Sequence, residues 1–415
     1  SGLGKFLMKT VNFPFNQFIS LNVIAGLSFF TLIFGILDLF HASYKFIFIF
    51  IFLFGIFFLI IRKNYFFLKK YLTIVNLFLF IIIFSLFIIF SKISINFSDD
   101  VQSYLLPIKS IIDNNFKGDH FFNYRLNISP FYTYSYFYSL FFHLGLDFIS
   151  FKIIDLGFGI LLLSFLLIDF FFKEKNTNVF LLLISFLVLV FIIILSPIYA
   201  NTTPLILGAG VFLGTLFLID LLRNIKDVNL SSVFCITLFF IYLISLKNTY
   251  LIPGLLIFFL VIFLFFQNKK NYLNFFNNII YFLIFSVIIL LPHLISSYLH
   301  TGNVFYPLLG KQNISYHLSN LNDDISFKHW INHFFPYILL TLILYFFKCF
   351  NKKINLMSNL FFLLIAIMQI FLIYFGTKLL IVNFRHMHSI VLIPTFFLFI
   401  TLLTSQYKLK IFSKV

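Results

Sequence analysis

Long apolar runs, each followed by a short polar connector, repeat from one end of the chain to the other. Stretches such as 19–37, 44–61, 72–90, 178–197, 278–297, 356–375 and 387–405 each supply the roughly 20 apolar residues that a helix needs to cross the hydrocarbon core of a bilayer. Within each run the hydrophobicity continues round the helix, so most should be core or lipid-facing spans and not surface amphipathic helices. The pattern predicts an all-α, polytopic integral membrane protein, with one transmembrane domain over 1–415 and about twelve (eleven to thirteen) spanning helices. The remaining expected spans are 151–172, 203–222, 230–246, 249–266 and 332–347. The Tyr-rich segment 130–148 is left between an interfacial or re-entrant helix and a further span.

Composition agrees. Of 415 residues, 61% are hydrophobic and 10% charged, with a mean hydropathy of +1.06, far outside the range of water-soluble domains. The net charge of +16 raises the question of nucleic acid, but the basic residues are dispersed over short connectors, and topology accounts for them better. Lys5/Lys9, Arg62/Lys63/Lys69/Lys70, Lys173/Lys175, Arg223/Lys226, Lys269/Lys270, Lys348/Lys352/Lys353 and Lys408/Lys410/Lys414 all fall on one side of the expected spans. That side is then cytoplasmic, together with both termini, in a plasma membrane of the bacterial inner-membrane kind. The apolar segments are too long for a cleavable leader, so none is expected. Cys235 and Cys349 lie in or beside spans without metal-site spacing and read as small buried hydrophobes. Gly210 and Gly214, in "GAGVFLG", have the spacing of close helix packing.

Two connectors on the outer side are long, 91–130 and 298–331, and such loops are where function concentrates. The first opens with "INFSDDVQSY", in which Asp99 and Asp100 follow an apolar run directly. Ser98 suits a helix N-cap and Val101, Leu105 and Ile108 recur at helical spacing, which predicts a helix along the membrane surface. On it Asp100 and Tyr104 share a face. Two readings stay open from spacing alone. The pair caps a juxtamembrane helix, or it takes a proton from a hydroxyl or holds a divalent cation.

The order of the outer segments resembles the C-type superfamily of polytopic membrane glycosyltransferases (GT-C), above all its bacterial members. The resemblance rests on "DD" followed by "YLLPIKSIIDNNFKGDHFFNYRL", then "LSPIYANTTPLILGAG" (195–210), "LISLKNTYLIPGLL" (243–256), "LLPHLISSYLHTGNVFYPLLGK" (290–311) and "NFRHMHSIVLIP" (383–394), and covers most of the chain from Asp99 onward. It departs from the pattern at Asn201, where many relatives carry an acid, and at Ser296/Ser297, where several carry Arg. The resemblance implies transfer of a sugar from a polyprenyl-linked donor to a hydroxyl of a glycan, lipid or protein acceptor at the outer membrane face. Asp99 or Asp100 would be the catalytic base, and the pair the place for a divalent metal ion if one takes part; no other cofactor is expected. Tyr104 would be a substrate-binding residue. A leaving lipid phosphate needs cationic donors, for which Arg385, His386 and His388 rank first and Lys247 and Arg125 second.

Competing readings sit beside these. Arg385 and the two histidines also suit headgroup anchors, and Lys247 a snorkelling side chain. Asp155, inside a span, is a site candidate by its depth, and His293 and His300 flank the second outer loop. A lipid-linked glycan flippase or transporter would show charges deep in several spans or an internal repeat. A polysaccharide polymerase would carry Arg in its late outer loop, where this chain has Lys311 and Lys328 instead.

Overall fold

A computed structural model of the chain describes residues 2–39, 49–51, 53–57, 150–173, 182–189, 205–223, 225, 228–246, 250–267, 272–301, 304, 339, 393, 394 and 396. Among the described residues every regular element is helical and no strand occurs. The delimited helices are α1 (Gly2–Thr10), α2 (Ile19–Leu39), α3 (Ser150–Lys173), α4 (Leu205–Arg223), α5 (Leu230–Leu246), α6 (Leu251–Gln267) and α7 (Tyr272–Thr301). Two of them, α4 and the Tyr272–Ile295 part of α7, are long and apolar enough to cross a membrane. The helix positions follow the apolar runs closely, and α5 coincides with its expected span, 230–246. In contrast, α7 extends beyond 278–297 at both ends, so the first residues of the expected loop 298–331 are its last turn. The chain divides into two compact units, one made of Ser1–Leu166 and Tyr199–Gly310, the other of Leu167–Ile198 and Lys311–Val415.

Local chemistry sets the helix ends. α1 stops where Asn12 takes a left-handed backbone conformation (φ 53°), a state that Asn tolerates better than most residues. Phe13 N–H donates to Met8 O at 2.8 Å and Asn12 N–H to Lys9 O at 3.0 Å, the pair of bonds that closes a Schellman motif. Met8 and Phe13, which occupy the two positions whose side chains accompany this motif, are both buried. α5 begins on Asn229, whose Oδ1 accepts from the Ser232 backbone N–H at 2.9 Å and from its hydroxyl at 2.7 Å, an N-cap. Within the helices, hydroxyls bond back to the carbonyl four residues earlier: Ser28 to Ile24, Ser164 to Ile160, Thr215 to Val211 and Thr237 to Val233. Each polar group is thereby satisfied without solvent.

In the first unit α4 is the central helix, and 94% of its membrane-length window is buried. It packs against α2, α5 and α6, and glycines set how near its neighbours come. A Cβ on Gly210 would stand 2.7 Å from Leu162 Cδ2, and one on Gly159 2.8 Å from the Ile206 carbonyl carbon. At Gly214 it would strike the Ile24 side chain. The expectation of close helix packing at Gly210 and Gly214 holds.

These contacts also fix helix direction. Gly159 faces Ile206, Leu162 faces Gly210 and Leu166 faces Gly214, so α3 runs parallel to α4. Phe18, at the start of α2, meets Phe217 near the end of α4 edge to face at 5.2 Å, so α2 runs the other way. Phe275 meets Phe266 at 5.9 Å and Phe282 meets Phe258 at 6.1 Å, which makes α6 and α7 antiparallel. Helices α3, α4 and α6 thus run in one direction and α2, α5 and α7 in the other, in the alternation that the apolar runs predict.

In the second unit, residues 182–189 are helical, with Phe186 and Leu189 buried and Ile184, Leu187 and Val188 exposed. Asp169, in the last turns of α3, is fully buried.

Candidate functional site

Asp99, Asp100, Tyr104, Arg125, Lys247, Arg385, His386 and His388, the residues that the sequence nominates, lie outside the described residues, as do segment 130–148, the whole of loop 91–130 and all of loop 298–331 beyond residues 298–301 and 304. Asp155 falls within α3. Among the described residues no three His, Cys, Asp or Glu side chains stand together as a metal group. What the structure does describe is a set of packed helices.

At one end of the first unit the chain enters α3, α4 and α6 and leaves α2, α5 and α7. That end carries the junctions to segments 195–204, 247–249 and the second long loop, three of the stretches singled out by sequence. It is built round Tyr250, which is fully buried and whose hydroxyl donates to the Leu205 carbonyl at 2.5 Å. Leu205 is the first residue of α4. Gly208, one turn into α4, leaves room for the phenol: a Cβ there would collide with the ring. On α6, Gly254 takes the Ile244 side chain in the same manner and lets α5 and α6 close against each other.

His293 is buried near the same end of α7, one residue after Pro292, which lies inside the helix and has no N–H to give the Ile288 carbonyl. The antiparallel register set by the Phe266–Phe275 and Phe258–Phe282 pairs, continued at the constant helical rise, brings His293 level with the start of α6. Its place beside the second outer loop was legible in the sequence; its burial was not. Tyr250 gave no sequence signal, because a tyrosine before an apolar run reads as an interfacial residue. Its burial, its hydroxyl bond to Leu205 and the nearness of Gly208 to the ring mark it as structural.

The opposite end holds the charges. Among the described side chains of the first unit, Lys5, Lys9, Asp220 and Arg223 all lie there, on α1 and in the last turn of α4. Lys5 is buried and donates to the Asn16 carbonyl at 2.6 Å. Asn22 Nδ2 shares that carbonyl at 2.9 Å and also reaches Phe18 O at 2.7 Å. Cys235 Sγ, fully buried, lies 3.6 Å from Met8 Sδ, which ties α1 to α5 and agrees with the reading of Cys235 as a packed hydrophobe.

Compared with known proteins, the chain matches no family model, no curated protein and no solved structure.

Proposed function

We propose that the protein is a polytopic membrane glycosyltransferase of the C-type kind, with about twelve spans, which transfers a sugar from a polyprenyl-phosphate donor to an acceptor hydroxyl at the outer membrane face. The observation that carries this reading is the Asp99–Asp100 pair, two carboxylates set immediately after an apolar run in a chain with 13 acids in all. In this assignment one aspartate takes the proton of the acceptor hydroxyl as the hydroxyl oxygen attacks the sugar carbon. The bond from that carbon to the donor phosphate breaks, and the phosphate leaves on its lipid. Arg385, His386 and His388, with Lys247 and Arg125 as second-rank candidates, neutralise the charge that develops on it. Tyr104, four positions after Asp100 in the sequence, is a further substrate-binding candidate.

The membrane part of the reading is supported by α7, where Leu273, Phe276, Ile280, Leu283, Val287 and Leu291 form an exposed apolar stripe along one face. A stripe of that length is unstable in water and at home in hydrocarbon. Orientation is supported by the gathering of Lys5, Lys9 and Arg223 at one end of the first unit, since basic residues concentrate on the cytoplasmic side of membrane proteins.

Asp99→Asn and Asp100→Asn test it. In membranes containing the protein and polyprenyl-phosphate donors with radiolabelled sugars, wild type moves label into acceptor material. Loss of at least one of the two carboxylates removes that transfer while protein yield stays the same. Undiminished transfer in both variants contradicts the assignment.

A further inference from the structure

Helix α7 differs from α4 in what it leaves uncovered: 22% of its membrane-length window is buried, against 94% for α4. Phe282, Ile289 and His293 form its buried row, with Phe282 set against Phe258 of α6. On the opposite side Leu273, Ile280, Ile284, Leu291 and Ile295 are exposed. Two features say what covers that side. The first is its length. From Leu273 to Ile295 the row runs about 33 Å at the helical rise, against the roughly 30 Å of a bilayer's hydrocarbon core. Exposed tyrosines stand at both ends, Tyr272 and Tyr298, about 39 Å apart, which is the separation of the two headgroup levels where such rings settle. Tyr281 is exposed between them, and helical side chains lean toward the helix N-terminus, which carries its hydroxyl toward the Tyr272 level.

The second feature is composition. α7 contains no acid, lysine or arginine, and no glycine or alanine. Helices that pack closely on one another in hydrocarbon do so through small residues that let the backbones approach, as Gly210 and Gly214 do in α4. The exposed row of α7 offers branched and aromatic side chains only, a surface that flexible acyl chains fill better than a second helix does. We infer that the uncovered face of α7 is a lipid-contact surface that sets the depth of the first unit in a bilayer: acyl chains cover Leu273 to Ile295, and Tyr272 and Tyr298 lie at the two headgroup levels. The inference rests on the membrane part of the function proposed above and adds to it which face meets lipid and at what depth. It also places the buried His293, about 7.5 Å along the helix from Tyr298, just inside the hydrocarbon boundary.

Single tryptophans read that depth. In a Trp330→Phe background, which removes the chain's one tryptophan, the variants are Tyr272→Trp, Ile284→Trp and Tyr298→Trp at exposed positions and Phe282→Trp on the buried row. Each full-length chain is reconstituted into phosphatidylcholine vesicles that carry either bromine at mid-acyl chain or a nitroxide on the headgroup. Ile284→Trp is expected to lose most of its emission to the acyl bromines and little to the headgroup nitroxide, Tyr272→Trp and Tyr298→Trp the reverse, and Phe282→Trp little to either. The three exposed sites need no repacking, so their order of depth is decisive without the fourth. An Ile284→Trp shielded from both quenchers shows a face covered by protein, a second copy included, and overturns the inference while leaving the membrane reading standing; so does equal quenching of all three exposed sites by the acyl bromines. A wild-type chain that does not float with the vesicles in a density gradient overturns the membrane reading itself, and the lipid face with it.

Discussion

The Lys5 ammonium lies buried against the carbonyl of Asn16, 2.6 Å away, so that a cation on the first short helix closes the turn that leads into the second. Burial holds its pKa down at about 8, well below the usual 10.5, and the neighbouring charge of Lys9 adds to the effect. Unfolded, the same amine keeps its proton until about pH 10.5. Between those two values the unfolded chain binds more protons than the folded one, so stability rises with pH across the window, and below pH 8 the whole cost of the buried charge is carried.

Lys5→Met removes that cost. The Asn16 carbonyl keeps a donor in Asn22 Nδ2 at 2.9 Å, so the variant is expected to match wild type or exceed it at pH 7, by about 1 kcal/mol once partial solvent screening is allowed for. The difference should shrink as pH rises from 8 to 10.5. Unfolding of both proteins in the same detergent at several pH values measures it; a gap that widens with pH would show that the amine is stabilising in its charged form.

Gly4 sits where α1 crosses α2. A Cβ there would lie 2.7 Å from both the carbonyl carbon of Asn22 and the amide nitrogen of Gly26, backbone atoms that cannot turn aside. Gly4→Ala is therefore expected to separate the two helices and to cost about 2 kcal/mol or more. Gly26→Ala, whose Cβ would meet the Gly4 nitrogen at 3.1 Å, should cost clearly less. Thermal unfolding of the pair decides, and equal losses would contradict the crossing geometry.

Helix direction makes a further prediction. Leu230 opens α5 and Tyr298 lies in the last turn of α7, two helices that run parallel, so the two residues belong to opposite ends of the bundle; both are exposed. In a background with Cys235→Ala and Cys349→Ser, single cysteines at these positions should be labelled by a membrane-impermeant maleimide from opposite faces, Leu230→Cys from the cytoplasm and Tyr298→Cys from outside. Labelling of both from one face would contradict the arrangement.

How much of this was legible in the sequence differs from element to element. Helix existence and extent were, because an apolar run has few alternatives: α2, α3 and α5 begin and end within two residues of the expected spans. The directions of α4 to α7 were legible too, since short connectors force neighbouring spans to reverse. The docking of α1 was not. "GLGKFLMKT" reads as a polar-ended lead to the first span, and its burial depends on glycines at residues 2, 4, 26 and 55 that come together only in three dimensions. The Tyr250–Leu205 bond joins residues 45 apart, a distance over which no local pattern speaks. For the candidate site the situation is reversed: Asp99, Asp100 and Arg385 stand out by chemistry in an apolar chain, but their mutual placement lies outside the described residues.

The central claim is that the protein holds a polyprenyl-linked sugar and that Asp99 and Asp100 act on it after it binds. Mass spectrometry of the lipids that copurify with wild type and with the Asp99→Asn/Asp100→Asn double variant tests this most directly. A polyprenyl-linked sugar enriched over bulk membrane lipid, and more so in the double variant, is the expected result, because donor enters and is not consumed. Only bulk phospholipid in both preparations would contradict the claim and return the outer-loop aspartates to the role of helix caps.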